Sequence, residues 1–170
     1  MVFYMKKIYL ILTVFLLLAC SASKSGADGP NKKTLKGTWE VVNVKFIGHE
    51  GFYKAFLFDK SDSSCFKNSE WVFIPNNGSG KFTTHASNST CEVTTNRIHW
   101  SFYDSGDGSI QFQFKYVDEK NKPLYGSQGY RTKLNLIDDS SMTLTVPTTH
   151  DGNPFNVILT FKKTSDDFTL

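Results

Sequence analysis

Ile110-Gln111-Phe112-Gln113-Phe114-Lys115-Tyr116 is the stretch that decides the fold of this chain. Apolar and polar residues alternate through it, the two-residue period of an extended strand that buries one face. A strand buried on both faces would not carry Gln111, Gln113 and Lys115. The same pattern recurs in both directions along the chain. Downstream, residues 130–136 repeat it, residues 142–146 follow a turn at Asp138-Asp139-Ser140, and residues 155–162 form the last strand. Upstream, residues 97–103 place Ile98, Trp100 and Phe102 on one face and His99, Ser101 and Tyr103 on the other. Residues 80–85 turn Phe82 inward, and residues 70–74 lead into the hairpin signal Pro75-Asn76-Asn77-Gly78. The first strand spans residues 38–47 through Trp39, Val42, Val44 and Phe46.

Eight strands, mostly joined by short turns and without a long crossover, predict an all-β fold. The expected form is an eight-stranded antiparallel up-and-down barrel, whose closure leaves no free edge. A two-sheet sandwich of the same strands is the alternative. Residues 48–60 break the alternation. Phe52, Tyr53, Phe56, Leu57 and Phe58 have helical spacing, which predicts a short helical insertion after the first strand. That insertion is either a lid over the barrel mouth or a plug in its end.

Aromatic residues make up 15% of the chain, and many fall on inward faces. Trp100, Phe102, Phe112, Phe114, Tyr116, Tyr130, Leu144 and Phe155 are the candidate lining of the barrel. Two readings stay open: a cavity for a lipid-like or aromatic ligand, or a solidly packed core.

The N-terminus has its own pattern. Lys6 and Lys7 precede an apolar run at residues 8–19, followed by Cys20 and small polar residues. The run is short of the roughly 20 residues a membrane-spanning helix needs and has the layout of a secretory signal. Residues 21–34 are rich in Ser, Gly and Lys and read as a flexible tether. The expected organisation is a signal peptide at 1–19, a tether at 20–34 and a barrel domain at 35–170. The net charge is +3, two charges of which lie in the signal, and nothing points to nucleic acid. Once Cys20 is set aside, Cys65 and Cys91 remain as an even pair in an exported domain, which predicts a disulfide. Two thiols without further ligands make a poor metal site.

Leu17-Leu18-Ala19-Cys20 resembles the lipobox of bacterial lipoproteins. The resemblance implies that Cys20 is the lipidation site, carrying diacylglyceryl and fatty acyl chains such as palmitate after cleavage before it. Leu35-Lys36-Gly37-Thr38-Trp39 resembles the Gly-x-Trp signature of the lipocalin superfamily, in which the tryptophan closes one end of the barrel. Gly37 and Trp39 are therefore the expected barrel-closing residues. The segment from Ser64 to Trp71, the later Cys91 and residues 136–144 resemble lipocalin-like lipoproteins of the Bacteroidota type. One departure stands out. Lipocalins carry an arginine that stacks on the motif tryptophan, whereas Lys162 and Lys163 occupy that region here.

No motif for catalysis or metal binding appears. The histidines at 49, 85, 99 and 150 lack ligand spacing, and Asp104, Asp107, Asp138 and Asp139 lie in turn segments. The resulting expectation is a lipid-anchored lipocalin-like protein that is not an enzyme and uses no cofactor or metal. It binds or carries a small hydrophobic ligand at the cell envelope. Ser21 in place of an aspartate, and no acidic cluster at 21–27, favour the outer membrane of a Gram-negative bacterium and a periplasm-facing domain. The alternative is a ligand-free structural or protein-interaction module, which exposed aromatics such as Tyr103 and Tyr125 gathered in one patch would mark. An enzyme would require titratable groups converging in a pocket.

Overall fold

The computed structural model describes residues 30–48, 54–86, 88–150, 152–168 and 170. Cys20, the signal and the tether up to residue 29 lie outside the described residues.

Among the described residues ten strands follow in chain order: β1 (Gly37–Ile47), β2 (Phe56–Leu57), β3 (Ser61–Asp62), β4 (Glu70–Ile74), β5 (Ser79–Thr83), β6 (Thr95–Asp104), β7 (Ile110–Tyr116), β8 (Gly129–Asp138), β9 (Ser141–His150) and β10 (Asn153–Ser165). Eight of them close into one antiparallel barrel in the order β1-β10-β9-β8-β7-β6-β5-β4, while β2 and β3 pair only with each other. Each barrel strand lies beside its sequence neighbour, and closure comes from β1, whose Gly37 and Trp39 pair with Phe73 and Trp71 of β4. This is the expected up-and-down barrel and not the sandwich.

β1 is the least regular barrel strand. Its register against β10 shifts between Val41 and Asn43, the mark of a β-bulge. Sequence alternation placed Val42 inward, but the bulge reverses the parity, so Val41 is fully buried and Val42 only partly. Trp39 before the bulge and Val44 and Phe46 after it then all pack on the same core.

The insertion also differs from the expectation. Residues 54–62 contain a two-residue hairpin where helical spacing suggested helix, and residues 49–53 lie outside the described set. Among the described residues, a 3-10 turn follows at Ser63–Phe66, capped by Asp62, whose Oδ1 accepts from the Ser64 N–H at 2.9 Å. Over residues 54–60 the remaining apolar spacing is too short to nucleate a helix, since a first turn fixes several residues for one hydrogen bond.

Three tryptophans anchor the core with no exposure, and each indole N–H is satisfied. Trp39 donates to the Leu35 carbonyl at 2.9 Å, Trp71 to Ser69 Oγ at 3.0 Å and Trp100 to the Ser79 carbonyl at 2.8 Å. Burial without those partners would leave each donor unmatched, at roughly 1–3 kcal/mol apiece. Trp71 stacks on Phe82 with centroids 4.6 Å apart and meets the edges of Phe161 and Phe114, so rings from four strands interlock across the barrel.

Candidate functional site

The barrel has two unlike ends. At one, a 3-10 turn (Lys32–Leu35) leads into β1, and Leu35 is fully buried beneath it. Gly37 has φ of 115°, and a Cβ there would collide with the Ser165 carbonyl oxygen. Only glycine meets both conditions, because an L side chain rarely adopts that conformation and none fits the space. Two residues on, Trp39 is buried and Lys163 Nζ sits 5.3 Å from its ring centroid. A lysine thus takes the cation position over the tryptophan, as a point charge and without planar stacking. Lys163 is also paired with Asp166 at 3.0 Å, which holds that carboxyl below the usual carboxylate range.

At the other end, the mouth, the insertion folds over the strand ends. Lys60 N–H donates to the Leu57 carbonyl at 3.0 Å, and Phe58 and Asp59 between them have φ of 56° and 50°. Two consecutive positive φ values make a type I′ turn, which favours Asn-Gly; Phe-Asp there stores on the order of 1–3 kcal/mol per residue. The ring of Phe58 points into the mouth and is 4% exposed. Its centroid lies 5.0 Å from Phe114, 5.5 Å from Phe66, 5.7 Å from Tyr130 and 6.3 Å from Trp71, mostly edge to face.

Polar groups hold this turn down. The Tyr116 hydroxyl donates to the Phe58 carbonyl at 2.9 Å. Asp59 Oδ2 accepts from Gln128 Nε2 at 2.7 Å and from the Tyr130 hydroxyl at 3.0 Å. Burial first, and then the neighbouring Asp59, push the Tyr130 hydroxyl up to about 12. Burial likewise pushes the Tyr116 hydroxyl well above its ordinary range. Below the turn, the Cys65–Cys91 disulfide ties the insertion to the loop after β5, as the even cysteine count predicted. Asn88 Nδ2 adds a hydrogen bond to Ser64 Oγ at 3.2 Å.

The candidate lining residues all belong to the central cluster. Trp100, Phe112, Phe114, Tyr116, Leu144 and Phe155 are buried, while Phe102 and Tyr130 are half-buried against it. Phe114 and Tyr130, at 5.2 Å, surround Phe58; Tyr116 holds its carbonyl; Trp100, Phe102 and Phe112 pack on one another towards the Trp39 end. Phe155 lies across the barrel against Phe46 at 6.1 Å, and Leu144 pairs with Leu159 and Leu134. These side chains all take part in the packed core cluster.

Phe58, Asp59 and Gln128 were not among the expected site residues. A positive-φ phenylalanine has no local signature, because the turn type disfavours the residue that occupies it. Trp71 and Phe82 were legible in their strand patterns but not as neighbours of the mouth, and Phe66 lies in the 3-10 turn, outside every expected strand. Tyr103 and Tyr125 lie at opposite ends of β7, beside Gln111 and Tyr116, and form no common patch. Among the described residues no group of His, Cys, Asp or Glu is placed to hold a metal ion, and no helix is long and apolar enough to cross a membrane.

No family model matches this chain, and no curated protein matches it. Among solved structures it is similar to the bovine odorant-binding protein in complex with a selenium-containing odorant, at 12% identity and a TM-score of 0.40, over 81% of this chain and 74% of that one. It is similar to the odorant-binding protein from bovine nasal mucosa at 13% identity and a TM-score of 0.40, over 81% of this chain and 76% of that one.

Proposed function

We propose that this protein is a lipocalin-like lipoprotein whose barrel mouth binds a small hydrophobic ligand in the place now taken by the Phe58 ring. One observation carries the reading. A cage of Phe66, Trp71, Phe114 and Tyr130 receives an aromatic ring delivered by a strained turn. A cage that accepts one planar apolar group from the chain itself has the chemistry to accept another, and the stored strain favours the exchange. The meander barrel with Gly37, Trp39 and Lys163 at its far end supports the lipocalin kinship.

The lipobox supports acylation at Cys20, with each buried CH₂ adding about 0.8 kcal/mol of membrane affinity. The domain then works at the cell envelope, on the periplasmic side of an outer membrane. Cys20→Ala should move the protein to the soluble fraction or block its processing; unchanged membrane partition overturns the anchor.

The test of the ligand reading is organic extraction and mass spectrometry of the purified full chain, alongside binding of a fluorescent apolar probe. Bound hydrophobic molecules, and probe binding that strengthens in Phe58→Ala, are the expected results. Absence of both from the native chain and the variant overturns the reading. That outcome favours a ligand-free module, to which the mutual packing of the lining residues lends support.

A further inference from the structure

The outer face of β6, β7 and β8 carries a groove, bordered also by Phe114 and Tyr130 of the core. Opposed residues of antiparallel strands point to the same face, so three rows lie side by side there. They are Tyr103, Gln111 and Lys133; Ser101, Gln113 and Arg131; and His99, Lys115 and Gly129. The last row ends on a glycine, and the missing side chain leaves a notch beside Lys115. A groove of about 550 Å³ follows the second and third rows.

Arg131 is held in place at its edge. Its guanidinium stacks 4.3 Å from the Tyr103 centroid, and Nη2 donates to Gln113 Oε1 at 3.2 Å. Gln113 in turn donates to Ser101 Oγ at 2.9 Å. The other guanidinium N–H groups find no partner among the described residues, so a planar fork stands preorganised with donors to spare. Among the described residues no carboxylate pairs with Arg131 or Lys115; the nearby Asp59 is taken up by Gln128 and the Tyr130 hydroxyl. The only acidic residues of the three strands are their last ones, Asp104 and Asp138, and each accepts from its own turn, Gly106 N–H at 2.8 Å and Ser140 N–H at 2.7 Å. The positive field reaches His99, whose pKa is lowered by burial and then by Lys115 and Lys32.

We propose that this groove binds the phosphate group of a small soluble ligand, with Arg131 and Lys115 on the oxyanion and the Gly129 notch as its seat. A concave site bounded by polar side chains fits a sugar-phosphate-sized molecule better than it fits a flat membrane surface, which protruding lysines would meet more fully. Phe114 and Tyr130 border both this groove and the mouth, but Arg131, Lys115 and Gly129 take no part in the cage around Phe58, so the two proposals are tested separately.

The experiment is a titration of the full chain, in neutral detergent, with inorganic phosphate, followed by backbone amide shifts. Saturable shifts centred on residues 99–101, 113–115 and 129–131 are expected. Arg131→Ala should weaken binding by about tenfold or more, as loss of a charge-assisted fork implies. Gly129→Val leaves the charge untouched and fills the notch; its Cβ would meet nothing nearer than the Phe114 carbonyl at 3.5 Å, so the fold is kept. It too should weaken binding about tenfold, whereas Lys45→Ala on β1 should not. Unsaturable shifts, equal binding by Gly129→Val, or binding to phosphatidic acid vesicles but not to free phosphate would each overturn the proposal.

Discussion

The Trp39 end and the Phe58 end are both closed by an aromatic ring, but by opposite means. At the first, the backbone does what its residues prefer: glycine takes the positive φ, and a 3-10 turn offers a carbonyl to the indole. At the second, phenylalanine and aspartate take a turn suited to asparagine and glycine, and the strain persists because a cage, two tyrosines and a glutamine oppose it. One end is a fixture of the fold; the other is a closure under tension. The lesson is that equal burial does not mean equal resistance to opening.

The sharpest way to break this contrast is to remove each ring. Trp39→Ala should destabilise the protein by about 3–5 kcal/mol, the range for a fully buried aromatic, and should lower the denaturant midpoint of the whole barrel. Phe58→Ala should cost less in the same unfolding experiment, because its ring sits on a local flap and not on a barrel strand. Equal losses would show that the mouth is as integral as the far end.

Reduction of the disulfide removes a cross-link that lies at the mouth but lowers the stability of the whole domain. Cys65 and Cys91 are 26 residues apart, for which chain entropy predicts a loss of about 3 kcal/mol. Hydrogen exchange should quicken at the Ser63 and Cys91 amides, which now donate to the Ala55 and Asn88 carbonyls, before it quickens at Trp39. Asp59→Ala is milder. It frees Gln128 and the Tyr130 hydroxyl, an exposed loss of about 1 kcal/mol, and should raise exchange at the Lys60 amide without altering β1.

The smallest effect is a response to pH confined to the mouth. Unfolded tyrosine titrates near 10, whereas folded Tyr130 is pushed up to about 12 and Tyr116 moves in the same direction. Between those values the unfolded chain has released protons that the folded chain retains. Stability is therefore full below about pH 10 and declines as pH rises through this window. Tyr130→Phe should flatten the decline measured by thermal melts, and an unchanged slope would place the titration elsewhere.

Much of the barrel was legible because a two-residue period survives in every context where one strand face is buried. Residues 110–116, 130–136 and 97–103 pair as their alternation implied, although residues 117–128 make a long connection between β7 and β8. The β1 bulge was not legible, since it inserts one residue to suit closure between β4 and β10 and leaves no local trace at Val42. The insertion misled for a related reason. Its apolar residues are spaced as on a helix, but Phe58 is drawn onto the barrel end while Phe56 stays exposed, and that burial outweighs a weak local preference.

What the amino-acid sequence determined alone is whatever depends on periodicity, composition and pairing: strand faces, turns, the glycine before Trp39 and the two cysteines left to join. The tertiary structure decided what depends on distance between remote residues. It placed Phe58 in a cage built from four other segments and set Asp59 against Tyr130, 71 positions away. It also laid Arg131 on Tyr103 beside an unfilled notch at Gly129. Alternation says which way a side chain points; only closure of the barrel says what it meets there.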